Sequence, residues 1–307
     1  MLAFYLRRGG LVEKCNQRPV QQRVNDEVMQ GHSTRCRLIE KVEALLDRPV
    51  LAYFTSFIRP VMIDDEDAAM LEDVLRTMDL TKGLALVINS PGGSGLAAER
   101  IIHLCRQYSG TSEYFAVVPN KAKSAATMVC LGASKIFMGI SSELGPIDPQ
   151  ITVREGDSSK IFSVCNLVDS YKKLFDRAIK TKGNLEPFLQ QLNHYDERAI
   201  KEMERAISLS EDIAIKSLKS GMLSSETEPA IRKKIKDFLT PEGKKDHGRP
   251  IYHLECSKAG LDVEYVKPED ELWGALYELH VRGNRCVSMG CTKLIETVRS
   301  SIVSRLV

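Results

Sequence analysis

The sequence has no apolar run that approaches the roughly 20 residues needed to span a bilayer. Its N-terminal apolar segment, MLAFYL, is shorter than a signal-peptide core, and its first arginines follow that segment instead of preceding it. These absences argue against a membrane anchor and against secretion. We therefore expect a cytoplasmic protein.

An excess of one charge sign is also missing, since 43 basic residues stand against 41 acidic ones and the net charge is +2. Such a chain has no overall field that would attract nucleic acid or an anionic membrane, and we expect neither as a partner. Apolar residues make up 43% and charged residues 27%, which is the balance of a soluble globular protein with a sizeable core.

Two ligand-binding motifs are missing as well. None of the eight cysteines lies in a C-x-x-C pair, so a zinc site is not indicated and free thiols in a reducing compartment are expected. No G-x-G-x-x-G follows a strand-like run, so a dinucleotide-binding turn is not indicated either.

What the chain does contain is an alternation of strand-like and helix-like segments. The strand-like runs are VLAYFTSF, LALVIN, YFAVVP and SKIFMG, and Asp64 and Asp65 are placed to cap the helix after the first of them. Such an alternation predicts an α/β fold with a parallel sheet and right-handed crossovers. From about residue 166 to 238 the pattern is mainly helical.

Two segments flank this region. Residues 1–33 are polar and without an apolar period, which predicts a flexible arm. Residues 267–307 carry apolar residues at helical spacing, which predicts a helical tail. That tail either packs on its own domain or serves as an arm between subunits. The predicted organisation is therefore an arm (1–33), an α/β domain (34–266) and a helical tail (267–307).

The segment LVINSPGGSG, residues 86 to 95, places two glycines after a buried strand and before a helix. Gly92 and Gly93 have no Cβ atom and can aim backbone N–H groups outward, at a helix start where the dipole is positive. Such a turn is able to bind an oxyanion. A plain strand-to-helix connection is the alternative interpretation.

The segment KAKSAATMVCLGA, residues 121 to 133, places Ser124 at the start of a helix of small residues. A serine in this position is either an N-cap or a nucleophile, with the N–H of Ala125 contributing to an oxyanion hole. Ser124 follows Gly93 by 31 residues, which fits one helix, one strand and two short turns. In a parallel sheet, both turns then lie at the carboxyl ends of neighbouring strands, where sites form.

These motifs resemble a known superfamily. VINSPGGSG resembles the oxyanion loop of the Clp protease proteolytic subunit, KSAATMVCLGASKIFMG resembles the nucleophile helix and the strand after it, and SELGPIDPQ extends the pattern. Together with DHGRPIYHLECSKAGLDV, they resemble the serine dehydrogenase proteinase family, relatives of signal peptide peptidase A, over residues 34–266. The resemblance implies a Clp protease/crotonase-like β-α superhelix with a helical C-terminal extension, a homo-oligomer, a polypeptide substrate, and no metal or organic cofactor.

The general base departs from the Clp pattern. Where the Clp subunit has its histidine, this chain reads GPIDPQ, with Asp148 near the expected place. The signal peptide peptidase relatives use a Ser-Lys pair instead, which makes Lys160, Lys172 and Lys173 the candidates. Lys160 stands on an extended stretch before a helical region and matches that context best, so we predict it as the base. His247, in the DHGRPI element, stays an alternative.

The leading hypothesis is peptide-bond hydrolysis through an acyl-enzyme at Ser124, with Lys160 as base and an oxyanion hole formed around Gly92, Gly93 and Ala125. An extended substrate is expected to add as a strand beside the glycine loop. Two alternatives remain: a catalytically inactive scaffold or interaction protein of the same fold, and a crotonase-like enzyme acting on acyl-CoA.

Overall fold

The computed structural model of the protein describes residues 19–26, 31–59, 61–155, 158–239 and 248–304. Its strands are β1 (Val50–Thr55), β2 (Leu84–Asn89), β3 (Tyr114–Val118), β4 (Lys121–Ala122), β5 (Lys135–Met138), β6 (Glu143–Leu144), β7 (Gln150–Glu155), β8 (Ser158–Ser163), β9 (Val263–Tyr265), β10 (Lys293–Glu296) and β11 (Ser301–Ser304). Seven of them form one sheet in the order β11–β10–β1–β2–β3–β5–β9, in which the five strands from β1 to β9 run parallel.

The helices follow the same alternation. They are α1 (Val20–Asp26), α2 (His32–Leu46), α3 (Asp65–Leu75), α4 (Gly95–Tyr108), α5 (Ala125–Leu131), α6 (Val164–Lys180), α7 (Glu186–Leu192), α8 (Glu197–Lys219), α9 (Glu228–Lys234), α10 (Lys236–Leu239), α11 (His253–Lys258) and α12 (Glu271–Met289). The predicted α/β fold with a parallel sheet is confirmed, and so is the helical stretch after residue 166.

The central strands are apolar throughout because both faces of the sheet are covered. Every residue of β1 and β2 is buried, as expected of parallel strands that lie between two layers of helices. One core cluster contains side chains of α3, α4 and α5, and the other contains side chains of α2 and α12. The predicted acidic cap is also present, since Asp64 Oδ1 accepts from the backbone N–H groups of Glu66 and Asp67 at the start of α3.

The tail after residue 266 is only partly helical. The prediction is correct over α12 and wrong after it, because β10 and β11 follow. Strand β10 pairs antiparallel with β1, and β11 extends the sheet beyond it. Strands of four residues are too short to change the helical periodicity of the tail as a whole. The tail thus packs on its own domain, and a role as an arm between subunits stays a prediction.

At the other end of the chain, helix α1 lies within the segment that was predicted as a flexible arm. Val24 of this helix is buried, and Arg23 lies 3.0 Å from Glu278 of α12. These residues are therefore held against α12. The arm prediction also fails at residues 32 and 33, which begin helix α2. Residues 1–18 and 27–30 lie outside the described residues, and the division of the chain into three parts stays a prediction.

Candidate active site

The two predicted turns are joined directly by backbone hydrogen bonds. Ser90 N donates to Lys121 O (2.9 Å), and Lys123 N donates to Ser90 O (3.0 Å), as in a parallel β-bridge between Ser90 and Ala122. The first turn follows β2 and the second follows β3, so both lie at the carboxyl edge of the parallel strands. The prediction that the glycine turn and the Ser124 turn meet at one edge of the sheet is confirmed.

Both glycines have the conformations that only glycine adopts readily, with φ +104° at Gly92 and +157° at Gly93. Gly92 lies against the second turn so closely that an added Cβ would be 2.5 Å from Lys123 O and 2.7 Å from Ser124 Cβ. This contact leaves no room for any side chain at Gly92. The glycine turn therefore determines how closely the loop approaches Ser124.

The two glycine N–H groups are not equivalent. Gly92 N donates to Ser90 Oγ (3.1 Å), which also accepts from Thr55 Oγ1 (2.7 Å), so this N–H is used inside the loop. The N–H of Gly93 has no acceptor within the described ranges. Of the two glycines, Gly93 is therefore the one whose N–H is not used within the loop. The sequence pattern could not make this distinction, because it depends on where the Ser90 hydroxyl points.

Ser124 has a strained backbone, with φ 49° and ψ −118°, at the turn that leads into α5. Such a conformation costs about 1–3 kcal/mol in a non-glycine residue and resembles the sharp strand-to-helix turn that exposes a nucleophilic serine. Ser124 occupies the N-cap position of α5, but its side chain makes no capping hydrogen bond to the helix. Ala125 is the first residue of α5, where backbone N–H groups have no partner within the helix.

Lys123, immediately before Ser124, is a residue that the sequence analysis did not select. Its side chain is largely buried, and Nζ donates to Leu144 O (3.0 Å) and lies 3.1 Å from Glu143 Oε1. Burial lowers the pKa of Lys123, although its hydrogen bond to the Glu143 carboxylate works in the opposite direction. This ammonium group ties the Ser124 turn to strand β6. In the sequence, the only indication that Lys123 belongs to this turn is its position directly before Ser124.

Thr127 makes a second link between these elements. Its Oγ1 donates to Ala122 O (2.7 Å) and accepts from Gly145 N (3.0 Å). Leu144 is bridged in turn to Ile251 across the next loop. The first turn of α5 is therefore braced by the SELGPIDPQ segment, and this explains why that segment accompanies the serine motif.

The predicted base candidates lie in different surroundings. Lys160 is exposed on β8, which pairs with β7 in a separate two-stranded hairpin. Lys172 lies 2.7 Å from Glu204, and Lys173 lies 2.6 Å from Asp169, so both are surface ammonium groups held by carboxylates of the helical region. His247 lies outside the described residues.

Asp148 stands near the position of the Clp histidine and is buried. Its charge acts on Cys165 at the start of α6: burial of the thiol, followed by the negative charges of Asp148 and Glu211, raises the pKa of Cys165 to about 11. Asp148 thus lies close to the junction between the loop and α6.

Two kinds of feature, a membrane-spanning helix and a metal-binding cluster, are absent from the described part of the chain. None of its helices is long and apolar enough to cross a bilayer. No group of three or more His, Cys, Asp or Glu side chains in the same ranges is arranged to hold a metal ion.

Comparison with known proteins gives the family. Residues 37–289 match the family described as ClpP-like SDH-type serine proteinase, which is most of the chain. The chain belongs to the ClpP-like SDH-type serine proteinase family. The matched region includes both turns at the carboxyl edge of the sheet, and the resemblance seen in the motifs is confirmed.

Two similar sequences come from Methanocaldococcus jannaschii. The uncharacterized protein MJ0137 is 27% identical over 211 residues, which cover 67% of this chain and 62% of that protein. The uncharacterized protein MJ1495 is 26% identical over 268 residues, covering 80% of this chain and 82% of that protein. This SDH-type proteinase chain thus spans about three fifths of the length of MJ0137.

Among solved structures, the chain is similar to two structures of mutants of the 1510-N membrane-bound stomatin-specific protease. A serine-to-alanine mutant matches with 15% identity and a TM-score of 0.29, covering 68% of this chain and 94% of that one. A lysine-to-alanine mutant in complex with a substrate peptide matches with 14% identity and a TM-score of 0.29, covering 72% and 93%.

Proposed function

We propose that this SDH-type proteinase chain is an active serine peptidase that hydrolyses peptide bonds through an acyl-enzyme at Ser124. The observation that carries the proposal is the strained backbone of Ser124 beside the glycine turn, together with a hydroxyl that does not cap its helix. A strained serine that is not needed as a cap, at the edge of the sheet where sites form, is typical of a nucleophile.

In the first step, Ser124 Oγ attacks the carbonyl carbon of the scissile peptide bond and gives its proton to a base. The negative charge that develops on the carbonyl oxygen is stabilised by the N–H groups of Gly93 and Ala125. The tetrahedral intermediate then collapses, the C–N bond breaks, and the amine leaves with the proton from the base. A water molecule, deprotonated by the same base, hydrolyses the ester and restores the serine.

The base in this proposal is a lysine. Lys160 is the candidate from the family resemblance. Lys123 is the candidate from the structure, because it is the residue next to Ser124. Its burial lowers its pKa, which favours the neutral amine. Its hydrogen bond to Glu143 favours the charged state and makes it the weaker of the two.

The substrate class is an extended polypeptide, whose main chain adds as a strand beside the glycine loop. A generic disordered protein such as casein is therefore a suitable first substrate. Assembly as a homo-oligomer and a cytoplasmic location remain predictions from the family resemblance and from composition. Light scattering after size-exclusion chromatography measures the oligomeric state.

A fluorophosphonate probe tests the nucleophile. We expect one covalent adduct per chain in the intact mass, located on Ser124 by peptide mapping, and no adduct in Ser124→Ala. Hydrolysis of fluorescent casein is expected to disappear in the same variant. A folded and assembled wild-type protein that gains no adduct would support the inactive scaffold instead of the peptidase.

The pH dependence of labelling tests the base. With a lysine base, the labelling rate is expected to rise with pH until the lysine is neutral. Lys160→Met is expected to slow labelling at least about tenfold and to remove this rise, whereas Lys123→Met keeps the rise. The reverse result would assign the base to Lys123, and an unchanged profile in both variants would exclude both lysines.

A further inference from the structure

A cluster of three charged side chains lies next to the glycine turn, with Lys293 and Asp67 buried and Asp64 half exposed. Lys293 Nζ, from strand β10, lies 2.8 Å from Asp64 Oδ2 and 2.7 Å from Asp67 Oδ2. The Lys293 side chain is 8% exposed and that of Asp67 is fully buried. Desolvating such charges is expensive, so a buried ion pair adds little net stability, although removing one partner is strongly destabilising. The cluster therefore requires an explanation other than simple stabilisation.

The cluster fixes the chain immediately next to Ile63. Asp64 caps α3 through Oδ1, and its own N–H donates to Asp67 Oδ2 (2.8 Å). Lys293 binds the remaining oxygen of Asp64 and the same Asp67 oxygen. Each of the two carboxylates is thus held both by the helix start and by the lysine of β10, so the backbone at Asp64 cannot shift without breaking several hydrogen bonds.

Ile63 in turn fixes Gly93. Ile63 N donates to Gly92 O (2.8 Å), and Ser94 N donates to Ile63 O (2.8 Å), so hydrogen bonds flank Gly93 on both sides. An added Cβ on Gly93 would collide with the backbone N and O of Ile63, which shows how closely the two chains approach. The direction of the Gly93 N–H is therefore set by the position of Ile63.

We propose that Lys293 is a positioning residue for the oxyanion hole. Through Asp64 and Asp67 it holds Ile63, and through Ile63 it aims the N–H of Gly93 at the site. The proposal rests on the proposed function for its effect on catalysis, but the positioning itself is a property of the fold. It gives the C-terminal strand β10 a part in the active site, 169 residues after Ser124 in the sequence.

The balance of charges in the cluster supports this role. Burial raises the pKa of Asp67 even though Lys293 favours its ionised form. Burial opposes the charged form of Lys293, yet its hydrogen bonds to the two carboxylates outweigh this effect and raise its pKa. Asp67 also interacts with the buried hydroxyl of Tyr53. Without Lys293, a buried carboxylate beside Ile63 would lose the cation that compensates it.

The same strand offers a matched control. Glu296 of β10 forms a second buried ion pair, with Arg35 of α2, at 2.7 Å. Breaking this pair is expected to perturb β10 as well, and its two hydrogen bonds join Arg35 to Glu296 instead of to Ile63 or the glycine turn. Comparing Lys293→Met with Arg35→Met therefore separates positioning of the loop from general damage to the strand.

The experiment measures fluorophosphonate labelling of Ser124 as a function of probe concentration in the full chain. Lys293→Met is expected to lower the maximal inactivation rate by about tenfold or more while the half-saturating concentration changes little, because the oxyanion donor is displaced but the probe still binds. Arg35→Met is expected to change the maximal rate by less than about threefold, because it perturbs β10 without breaking the hydrogen bonds that hold Ile63. Asp67→Asn in the Lys293→Met background is expected to restore part of the rate, because it removes the uncompensated charge.

Amide hydrogen exchange gives a readout that does not depend on activity. The N–H groups of Ile63 and Ser94 are expected to exchange at least about tenfold faster in Lys293→Met and to stay protected in Arg35→Met. Unchanged exchange and unchanged labelling in Lys293→Met would overturn the proposal. If the wild-type chain takes up no probe, the proposed function fails and exchange alone decides the positioning role. If Lys293→Met does not fold, Lys293→Arg, which keeps the charge but changes its geometry, takes its place in both measurements.

Discussion

Replacing Gly93 by alanine is expected to slow casein hydrolysis and fluorophosphonate labelling by about 10²–10³-fold, the range seen when one oxyanion donor is lost. A Cβ at this position collides with the backbone of Ile63, and the φ of +157° is one that an L-residue rarely adopts. Backbone atoms cannot move aside as a flexible side chain can. The loop must therefore shift, and the shift carries the Gly93 N–H away from the developing oxyanion.

Stability is expected to fall in Gly93→Ala by about 1–3 kcal/mol, the usual cost of a strained backbone. Urea denaturation measures this loss, and labelling under fully native conditions measures the catalytic effect separately. The matched control is Gly274→Ala in helix α12, where an added Cβ meets nothing within 4 Å. That variant is expected to be neutral or more stable by up to about 1 kcal/mol, because alanine is the better helix former. A Gly93→Ala protein that labels at the wild-type rate would remove Gly93 from the oxyanion hole.

The juxtaposition of the two turns could be predicted because it follows from local signals and from topology. LALVIN and YFAVVP are continuous apolar runs of strand length, and observed β2 (Leu84–Asn89) and β3 (Tyr114–Val118) coincide with them closely. Once two such strands are parallel neighbours, the turns after them must meet at one edge. Gly92 and Ser124 are accordingly in contact, although the sequence alone predicts no distance between them.

The interactions that hold the site could not be predicted, because they join residues far apart in the chain. Lys293 and Asp64 are separated by 229 positions, and nothing in KLIE or in DDEDAAM indicates that the two segments meet. Strand β10 was itself missed, since KLIE follows a long helical pattern. Lys123 was passed over for a different reason. A lysine on a polar turn is usually solvated, and only its burial against Glu143 distinguishes it.

A similar limit applies to helix α12. Its apolar spacing predicts the helix, but nothing in the sequence distinguishes His280 from the other five histidines. In the structure this histidine is 8% exposed, and its ring stacks at 6.5 Å from that of Phe54. The amide nitrogen of Asn120 donates to its Nε2 (2.9 Å), which requires a neutral ring nitrogen. The residue therefore occupies the core as an uncharged group.

His280 is expected to make the protein strongly sensitive to mild acid. Burial, and then the positive charge of Lys121, lower the pKa of His280 to about 4, whereas an unfolded histidine titrates near 6.5. Below pH 6.5 the unfolded state thus binds a proton that the folded state does not. The free energy of unfolding falls as the pH drops from 6.5 to 4, by about 3 kcal/mol from this group alone.

Urea denaturation of the wild type and of His280→Gln at pH 7, 6, 5 and 4 isolates this contribution. Carboxylates also titrate toward pH 4, but they do so in both proteins, so the difference between the two stability curves reports His280. The variant is expected to be less stable at pH 7, where the wild-type ring packs without a proton, and to lose about 3 kcal/mol less than the wild type by pH 4. Glutamine retains an acceptor for Asn120, which limits the packing cost of the change. Two curves that run parallel from pH 7 to pH 4 would show that the buried imidazole does not have this lowered pKa.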